Sequence, residues 1–452
     1  MNTFLEPWER DSFAFSGAHV AAEHDGSVLL VSPIGSTMIV SLELAAFLSR
    51  KDISDEFAAK LVQNFFASFG NRTTDLADSK LPTSFFLIDM TGECNLNCAY
   101  CFRDGTDRKP TIAADELRFI LDAIRSYCER NGVRKISLQP WGGEPLIASN
   151  SVLAIADYFR DTDIDANVSI ETNGVLLTDD LVAKLHDRGI GIGISVDGPA
   201  WLHDVQRRRR DGSPSYDAVS KGIAAVRRRY GNAFGTISVI TRRGIGHGAE
   251  IFTSLRDDVG GTSMKLNIVR DNPYAREHDL VPSLDEVRAF YTEVFSTMVE
   301  SWRAGKPMCE ETSVACLRNL LFLDRSNCCD SQGCTGGRSI VSFDHAGRMF
   351  PCEITDFDEQ CMGSVADSRI EDLVERGLPA CFREKKGIER CETCPWWHYC
   401  RGGCTSRMLY TGARGVDEVT CAVNETLYPL AAQLILDDLP LSMAIARREV
   451  RR

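Results

Sequence analysis

Six times between Ser84 and Arg303 a short β-branched run gives way to an amphipathic helical stretch. The runs are Phe85–Asp89, Lys135–Gln139, Asn167–Glu171, Gly191–Val196, Thr236–Ile240 and Met264–Val269. Helical patterns such as Ala114–Arg130, Asp179–Arg188 and Tyr216–Arg229 lie between them. Strands that alternate with helices are joined by right-handed crossovers, so the series predicts an α/β fold with a parallel sheet. A closed eight-unit barrel needs two more units than the sequence supplies, which leaves an open, partial (β/α)6 TIM-like barrel. In such sheets the functional site lies at the carboxyl ends of the strands.

The first of these strands runs directly into Cys94-Asn-Leu-Asn-Cys98-Ala-Tyr-Cys101. Soft thiolates select iron–sulfur clusters or zinc. A structural zinc site closes with a fourth Cys or His nearby, but the next Cys is Cys128 and the next His is His186. Three thiolates at this spacing suit three irons of a 4Fe–4S cubane and leave the fourth open. The chain of 452 residues holds 17 Cys, an odd number, grouped at 94–101 and from 309 to 421. Its start has neither the cationic stretch nor the apolar core of a signal peptide, so the reading is metal or redox chemistry in the cytoplasm rather than a disulfide framework. A net charge of −13 argues against nucleic-acid binding, and no apolar run approaches the ~18 residues of a membrane span. The one basic cluster, Arg207 to Arg210, reads as a loop in which Arg208–Arg210 are solvated.

Further motifs sit at the ends of successive strands. After the second comes Trp141-Gly142-Gly143-Glu144-Pro145, whose glycines let the backbone approach a ligand closely. The third ends in Thr172-Asn173-Gly174, and the fourth in Ser195-Val196-Asp197-Gly198-Pro199, followed by His203-Asp204 and Arg207. Together with the three-Cys run these resemble radical S-adenosylmethionine (SAM) enzymes, whose motif is C-x3-C-x-aromatic-C, with Tyr100 as the aromatic. The resemblance implies that Cys94, Cys98 and Cys101 hold a 4Fe–4S cluster whose open iron binds SAM and cleaves it to a 5′-deoxyadenosyl radical. It further implies that Gly142, Gly143 and Glu144 meet the SAM amino group, that Thr172 and Asn173 face its ribose, and that Ser195, Asp197 and Arg207 belong to the carboxylate-binding segment. A guanidinium fork suits a carboxylate.

The C-terminal cysteines carry a second pattern. Cys334 is followed by Gly347 and Cys352, then by Cys391, Cys394, Cys400, Cys404 and Cys421. This spacing resembles the seven-cysteine SPASM motif, which implies two auxiliary 4Fe–4S clusters, three in all. Carried over, Cys334, Cys352 and Cys404 hold the inner one, closed by Cys328 with Cys329 as its rival; Cys391, Cys394, Cys400 and Cys421 hold the outer one. The expected division is an N-terminal module at 1–80, a radical SAM core at 81–304 and a SPASM domain at 305–452. Within it the stretch Gly305 to Cys421 is irregular and needs metal to staple it. The N-terminal module reads as short strands at Val20–Glu23, Val28–Ser32 and Ser36–Ser41, with helices near Leu42–Ser49 and Ser54–Ser68. It resembles winged-helix peptide-recognition elements, or it is a packing extension of the barrel.

Radical SAM enzymes with SPASM domains modify peptides, with flavodoxin or ferredoxin as electron donor. The resemblance therefore implies a maturase of a ribosomally made precursor peptide, installing a carbon–carbon, carbon–oxygen or thioether cross-link or an epimerised centre. An anaerobic sulfatase maturase making formylglycine is the alternative, and a non-catalytic electron-transfer or peptide-binding scaffold is an alternative of another class. Sulfatase maturases carry Cys-Asp where this chain has Cys352-Glu353, and often Gln where it has Trp141. Glu353 is the candidate general base, and Cys361 the candidate hydrogen-atom donor.

Overall fold

The expected strands form close to their anticipated limits. In the computed structural model they make one parallel series, β4 (Phe85–Thr91), β6 (Lys135–Gly142), β7 (Asp165–Thr172), β8 (Gly191–Ser195), β10 (Gly235–Ile240) and β11 (Ser263–Ile268), hydrogen-bonded in that order. Strands are numbered along the chain. The structure describes residues 19–32, 35–44, 82–103, 110–322, 334–353, 358–376, 389–411 and 415–449. The expected helix at Ser54–Ser68, the part of Leu42–Ser49 beyond Leu44, and Cys328 and Cys329 lie outside those residues.

Local chemistry fixes the crossover helices. Glu116 Oε2 accepts from Ala113 N at 2.8 Å at the start of the Ala114–Asn131 helix, and Gly132 ends it at φ 66°, the left-handed turn that glycine adopts without strain. Ser283 and Glu286 cap the Leu284–Arg303 helix reciprocally, a pairing that satisfies two otherwise orphaned amides.

The two faces of the sheet differ. On β7, β8, β10 and β11 every second residue is buried under the helices: Val168, Ile170, Ile192, Ile194, Met264, Leu266 and their neighbours. The alternating positions, among them Ser169, Glu171, Gly193, Ser195, Lys265 and Asn267, are only half-buried. A parallel sheet is ordinarily apolar on both faces, and a small closed barrel fills its interior with branched side chains. Here the inner face is polar and open to water, the arrangement of a lined cavity.

The sheet continues at both edges. β12 (Cys309–Glu310) pairs parallel with β11, and β13 (Ile340–Phe343) pairs parallel with β4, setting Ile340 opposite Phe85. β14 (Arg348–Phe350) and β15 (Gly363–Ser364) complete an antiparallel meander. Gly347, at φ 74°, makes the tight turn between β13 and β14. The stretch Gly305 to Cys421, expected to be irregular, holds the helix Glu311–Phe322, and the helices Glu418–Asp437 and Leu439–Arg447 follow at its end. They bury Leu317, Leu320, Leu427, Ala431 and Ile445.

The N-terminal β1 (His19–His24), β2 (Ser27–Val31) and β3 (Thr37–Ser41) form an antiparallel sheet. It is tied to this C-terminal layer: Thr37 Oγ1 donates to Leu320 O at 2.6 Å and Tyr399 OH to Gly35 O at 2.6 Å. Trp396, Tyr399 and Tyr428 stack at 4.8 and 5.0 Å below.

Candidate active site

The cysteine loop leaves β4 and lies against the end of β6. Gly143 N donates to Thr91 O and Glu144 N to Glu93 O, each at 2.8 Å. A Cβ on Gly143 would fall 2.2 Å from Glu93 O, and one on Gly142, at φ 142°, 2.3 Å from Thr91 O. One close approach that these glycines permit is that of the loop's own backbone. β5 (Leu96–Cys98), within the loop, pairs antiparallel with β9 (Arg207–Arg209), so that Cys98 stands opposite Arg207. The stretch expected as an arginine-rich loop is a strand at its start. Ala99 N donates to Gln206 O at 2.7 Å, and Arg210 Nε to Cys94 O at 2.5 Å.

The three thiols sense one another. Burial pushes Cys98 up to about 12, with Arg207 opposing and Cys101, Asp197 and Cys94 adding to the rise. Cys94 is raised by burial, against the Leu96 amide, with Glu144 and Cys101 adding to it. Thiols held neutral by burial and mutual repulsion are ones that a cationic metal core would ionise. Among the described residues no three His, Cys, Asp or Glu side chains converge on a single-ion position. A cubane instead places each thiolate on a separate iron, and the one-loop set Cys94, Cys98 and Cys101 fits that donor pattern.

Asp197 is the hub behind the loop. Fully buried, it accepts from Tyr100 OH at 2.7 Å, Gln206 Nε2 at 3.0 Å and Val239 N at 2.9 Å, and pairs with Arg207 Nε at 3.1 Å. Burial works against the charge of Arg207, but Asp197, Tyr100 and Cys98 more than offset it and hold the guanidinium protonated. The guanidinium also lies 5.5 Å over the Tyr100 ring. Behind them His203, fully buried, accepts from Asp197 N at 3.4 Å and meets Ser215 Oγ at 3.0 Å. Burial lowers its pKa to about 4. Ser195 is half-buried at the end of β8, and its hydroxyl has no hydrogen bond among the described residues.

Glu144 is tied inward. Its carboxylate accepts from Leu146 N at 3.1 Å, Thr172 Oγ1 at 2.7 Å and Asn173 N at 2.8 Å. A carboxylate has about four acceptor sites, so room remains for one further donor. Asn173 Nδ2 reaches Asn95 Oδ1 at 2.6 Å and Cys94 Sγ at 3.7 Å. Thr172 and Asn173 thus join the second and third strand ends to the cysteine loop.

The open inner face holds groups that the motifs did not single out. Glu171, on β7, lies where Gly193 leaves space: a Cβ there would be 3.2 Å from its carboxylate. Burial raises its pKa to about 7, and the charge of Glu353 adds to the rise. Arg270, just past β11, stays protonated despite burial because Cys404, Cys352 and Glu353 surround it, and it donates to Ser406 Oγ at 2.9 Å. Cys352 Sγ donates to Glu353 Oε2 at 2.9 Å. Glu353, Cys352 and Cys404 therefore meet Glu171 and Arg270 at one place. The strict polar alternation Asn167-Ser169-Glu171 was the available signal for Glu171. Nearby, Asp89 pairs with Arg103 at 3.0 Å, and Arg103 lies 4.4 Å over Trp141. The indole N–H of Trp141 is buried without a partner among the described residues.

Of the other cysteines, Cys391 and Cys421 pack with Val416 and Trp397. Cys400 and Cys421 interact electrostatically, and Arg390 donates to Cys421 Sγ at 2.6 Å. Cys394 joins Cys391 through a turn, N to O 3.3 Å. Gly337 N bonds Pro351 O at 2.8 Å, bringing the Cys334 segment alongside that of Cys352. Cys361 Sγ donates to Gly363 O at 3.6 Å, within its own turn.

Three thiols thus stand on the loop after the first parallel strand, latched to an arginine strand and backed by the strand-end motifs. The chain carries a radical SAM domain: residues 88–245 match the Radical SAM superfamily. A serine-type anaerobic sulfatase-maturating enzyme of Klebsiella pneumoniae is 24% identical over 350 residues, 74% of this chain and 85% of that protein. Among solved structures, native anSMEcpe with bound AdoMet and the Cp18Cys peptide superposes with a TM-score of 0.68 at 18% identity, over 81% of this chain and 100% of that one. Streptococcus suis SuiB bound to its precursor peptide SuiA gives 0.52 at 15%, over 88% and 96%. Among the described residues no helix is long and apolar enough to cross a membrane.

Proposed function

We propose that this chain is a peptide-modifying radical SAM maturase that oxidises a side chain of a ribosomally made precursor peptide held on the inner face of the sheet. The observation that carries the reading is the meeting of Glu171, Glu353 and Arg270 beside Cys352 and Cys404 on a polar, half-buried face. Cys94, Cys98 and Cys101 would hold the SAM cluster, and when bound the cluster and SAM supply the 5′-deoxyadenosyl radical. The chain's own residues do the rest. Ser195 and Arg207 orient the SAM carboxylate, and Glu144 takes a donor on its remaining acceptor site. Glu353 receives the proton that leaves the oxidised substrate. Glu171, poised near neutrality, shares that proton. Two carboxylates in one cavity cannot both ionise freely. Cys334, Cys352 and Cys404, with Cys328, and Cys391, Cys394, Cys400 and Cys421 are assigned to two auxiliary clusters. Cys361 keeps its hydrogen-donor role as a proposal.

A second reading, formylglycine formation on a sulfatase, is favoured by the sulfatase-maturating enzyme to which this chain is similar. Glu353 replaces the Asp expected there, and Trp141 brings an indole in place of an amide. The anaerobically reconstituted protein, SAM and candidate peptides are incubated and the products read by mass spectrometry. A cross-link or epimer supports the first reading, whereas an aldehyde trapped by a hydrazide reverses the order. Iron near about twelve per chain accords with three cubanes, and iron near about four removes the auxiliary pair. Replacing Cys94, Cys98 and Cys101 by Ala abolishes 5′-deoxyadenosine formation if the assignment holds.

A further inference from the structure

The four arginines 207–210 stand out in a chain of net charge −13, and the site accounts for only the first. Arg207 is buried, but Arg208 and Arg210 are exposed and Arg209 is half-buried. Pairing of β9 with β5 places Arg208 opposite Asn97 and Arg209 opposite Leu96, while Arg210 is fastened to Cys94 O. Three cations are thus mounted on the outside of the loop that carries the cluster thiols. None of the three is in an ion pair among the described residues, although Arg228, Arg242, Arg256, Arg276 and Arg288 all are.

Of the nearby acids only Asp211 feels the group, through Arg209. Asp211 is turned onto Ser213, 2.9 Å to N and 2.6 Å to Oγ. Asp204 caps Ser215 N and Tyr216 N at 2.9 and 2.8 Å. Glu93 is the exposed acid on the cysteine loop. The helix leading into β9 adds two exposed apolar side chains four residues apart, Trp201 (45%) and Val205 (39%). The Trp201 ring is held by Glu250 at 2.9 Å.

We propose that the β5–β9 ribbon, with Arg208, Arg209 and Arg210, is the docking surface for an acidic electron-transfer protein. On docking, that protein loses one electron, which the cluster held by Cys94, Cys98 and Cys101 gains. The occupant follows from placement and charge. The ribbon backs directly on the thiols: Cys98 lies across a single strand pair from Arg207, about 5 Å between Cα atoms. A substrate of the inner face meets Glu171 and Glu353 instead. A cationic face on an acidic protein repels like copies elsewhere and steers an acidic partner to this one place. Three neighbouring cations also repel one another, a cost that an anionic partner relieves.

The test uses the reconstituted holoprotein and an acidic flavodoxin as probe, with Arg208→Glu/Arg209→Glu as the variant. Direct anaerobic titration should show flavodoxin binding that weakens steeply with salt. The variant should weaken it by about tenfold or more at low salt and flatten the salt dependence. SAM cleavage driven by photoreduced deazaflavin, a small neutral reductant, should stay unchanged in the variant, while flavodoxin-driven cleavage falls. No flavodoxin binding by the parent protein, equal binding by the variant, or equal loss with both reductants would overturn the proposal. So would loss of substrate-peptide binding with flavodoxin binding intact, which would assign the face to the substrate. If the parent fails to cleave SAM with deazaflavin, the cofactor assignment fails, yet the binding titration still decides the docking surface.

Discussion

Asp197→Asn is the substitution that separates a hub from a bystander. The carboxylate is fully buried and serves Tyr100, Gln206 and the Val239 amide, besides the charge of the equally buried Arg207. Asparagine keeps the shape but removes the charge, and it turns one acceptor into a donor facing other donors. Removing one partner of a buried ion pair costs about 3–5 kcal/mol, and a stranded buried donor about 1–3 more. A folded domain is stable by about 5–15 kcal/mol, so the loss is a large fraction of the whole. Denaturant titration at neutral pH measures it, and hydrogen exchange of residues 96–101 reports whether β5 still holds to β9. Tyr100→Phe removes a single charge-assisted hydrogen bond and should cost only about 1.5–3 kcal/mol. An Asp197→Asn protein within about 1 kcal/mol of the parent, with unchanged exchange at 96–101, would refute the hub.

Three further outcomes are expected. The Glu171 carboxyl is raised from 4.5 to about 7, so the fold binds its proton more tightly than the unfolded chain does. The resulting stability is present below pH 4.5 and is lost as pH rises through 7. At about 1.4 kcal/mol per pH unit, Glu171→Gln should be more stable than the parent by about 3 kcal/mol at pH 8 and equal to it at pH 4.5; a pH-independent difference contradicts this. His203 runs the other way. Lowered from 6.5 to about 4 by burial, it stabilises above pH 6.5, and that contribution is lost as pH falls through 4. His203→Gln should flatten the acid limb of the stability profile in that window. Finally, Gly143→Ala drives a Cβ into Glu93 backbone 2.2 Å away, which should cost about 3 kcal/mol and lower iron retention. Gly212→Ala, which faces open space at φ 82°, should cost about 1–2 kcal/mol and keep its iron.

The parallel series was legible because alternating runs of Ile, Val and Leu with amphipathic helices admit few other folds. The loop Cys94 to Cys101 was legible because thiol spacing is a local property. What local reading could not reach was the use of each strand-end residue. Gly142 and Gly143 also make room for residues 91–93, a contact across about fifty positions of sequence that no local pattern reveals. Arg207–Arg209 looked like a loop because three like charges in a row suit solvent; their strand exists only because Leu96–Cys98 is there to pair with it. Glu171 and Arg270 carry no motif, and their proximity to Glu353 depends on how the C-terminal segment folds back. The Glu311–Phe322 helix is hidden in the sequence because the cysteine-rich stretch around it breaks up its apolar period.

That fold-back has a consequence for how the chain is made. β4 has β6 on one side and β13 on the other, so the first strand of the series waits for its second neighbour until residue 343 has left the ribosome. Until then β4 is a long apolar edge, Phe-Phe-Leu-Ile, of the kind that recruits other chains. A fragment ending at residue 304 would keep that edge bare and should aggregate, even though it contains all of residues 88–245 that match the Radical SAM superfamily. A fragment extended through β13 should stay in solution. The last third of the chain would then act first as a cover for a nascent sheet, before any cysteine in it meets iron.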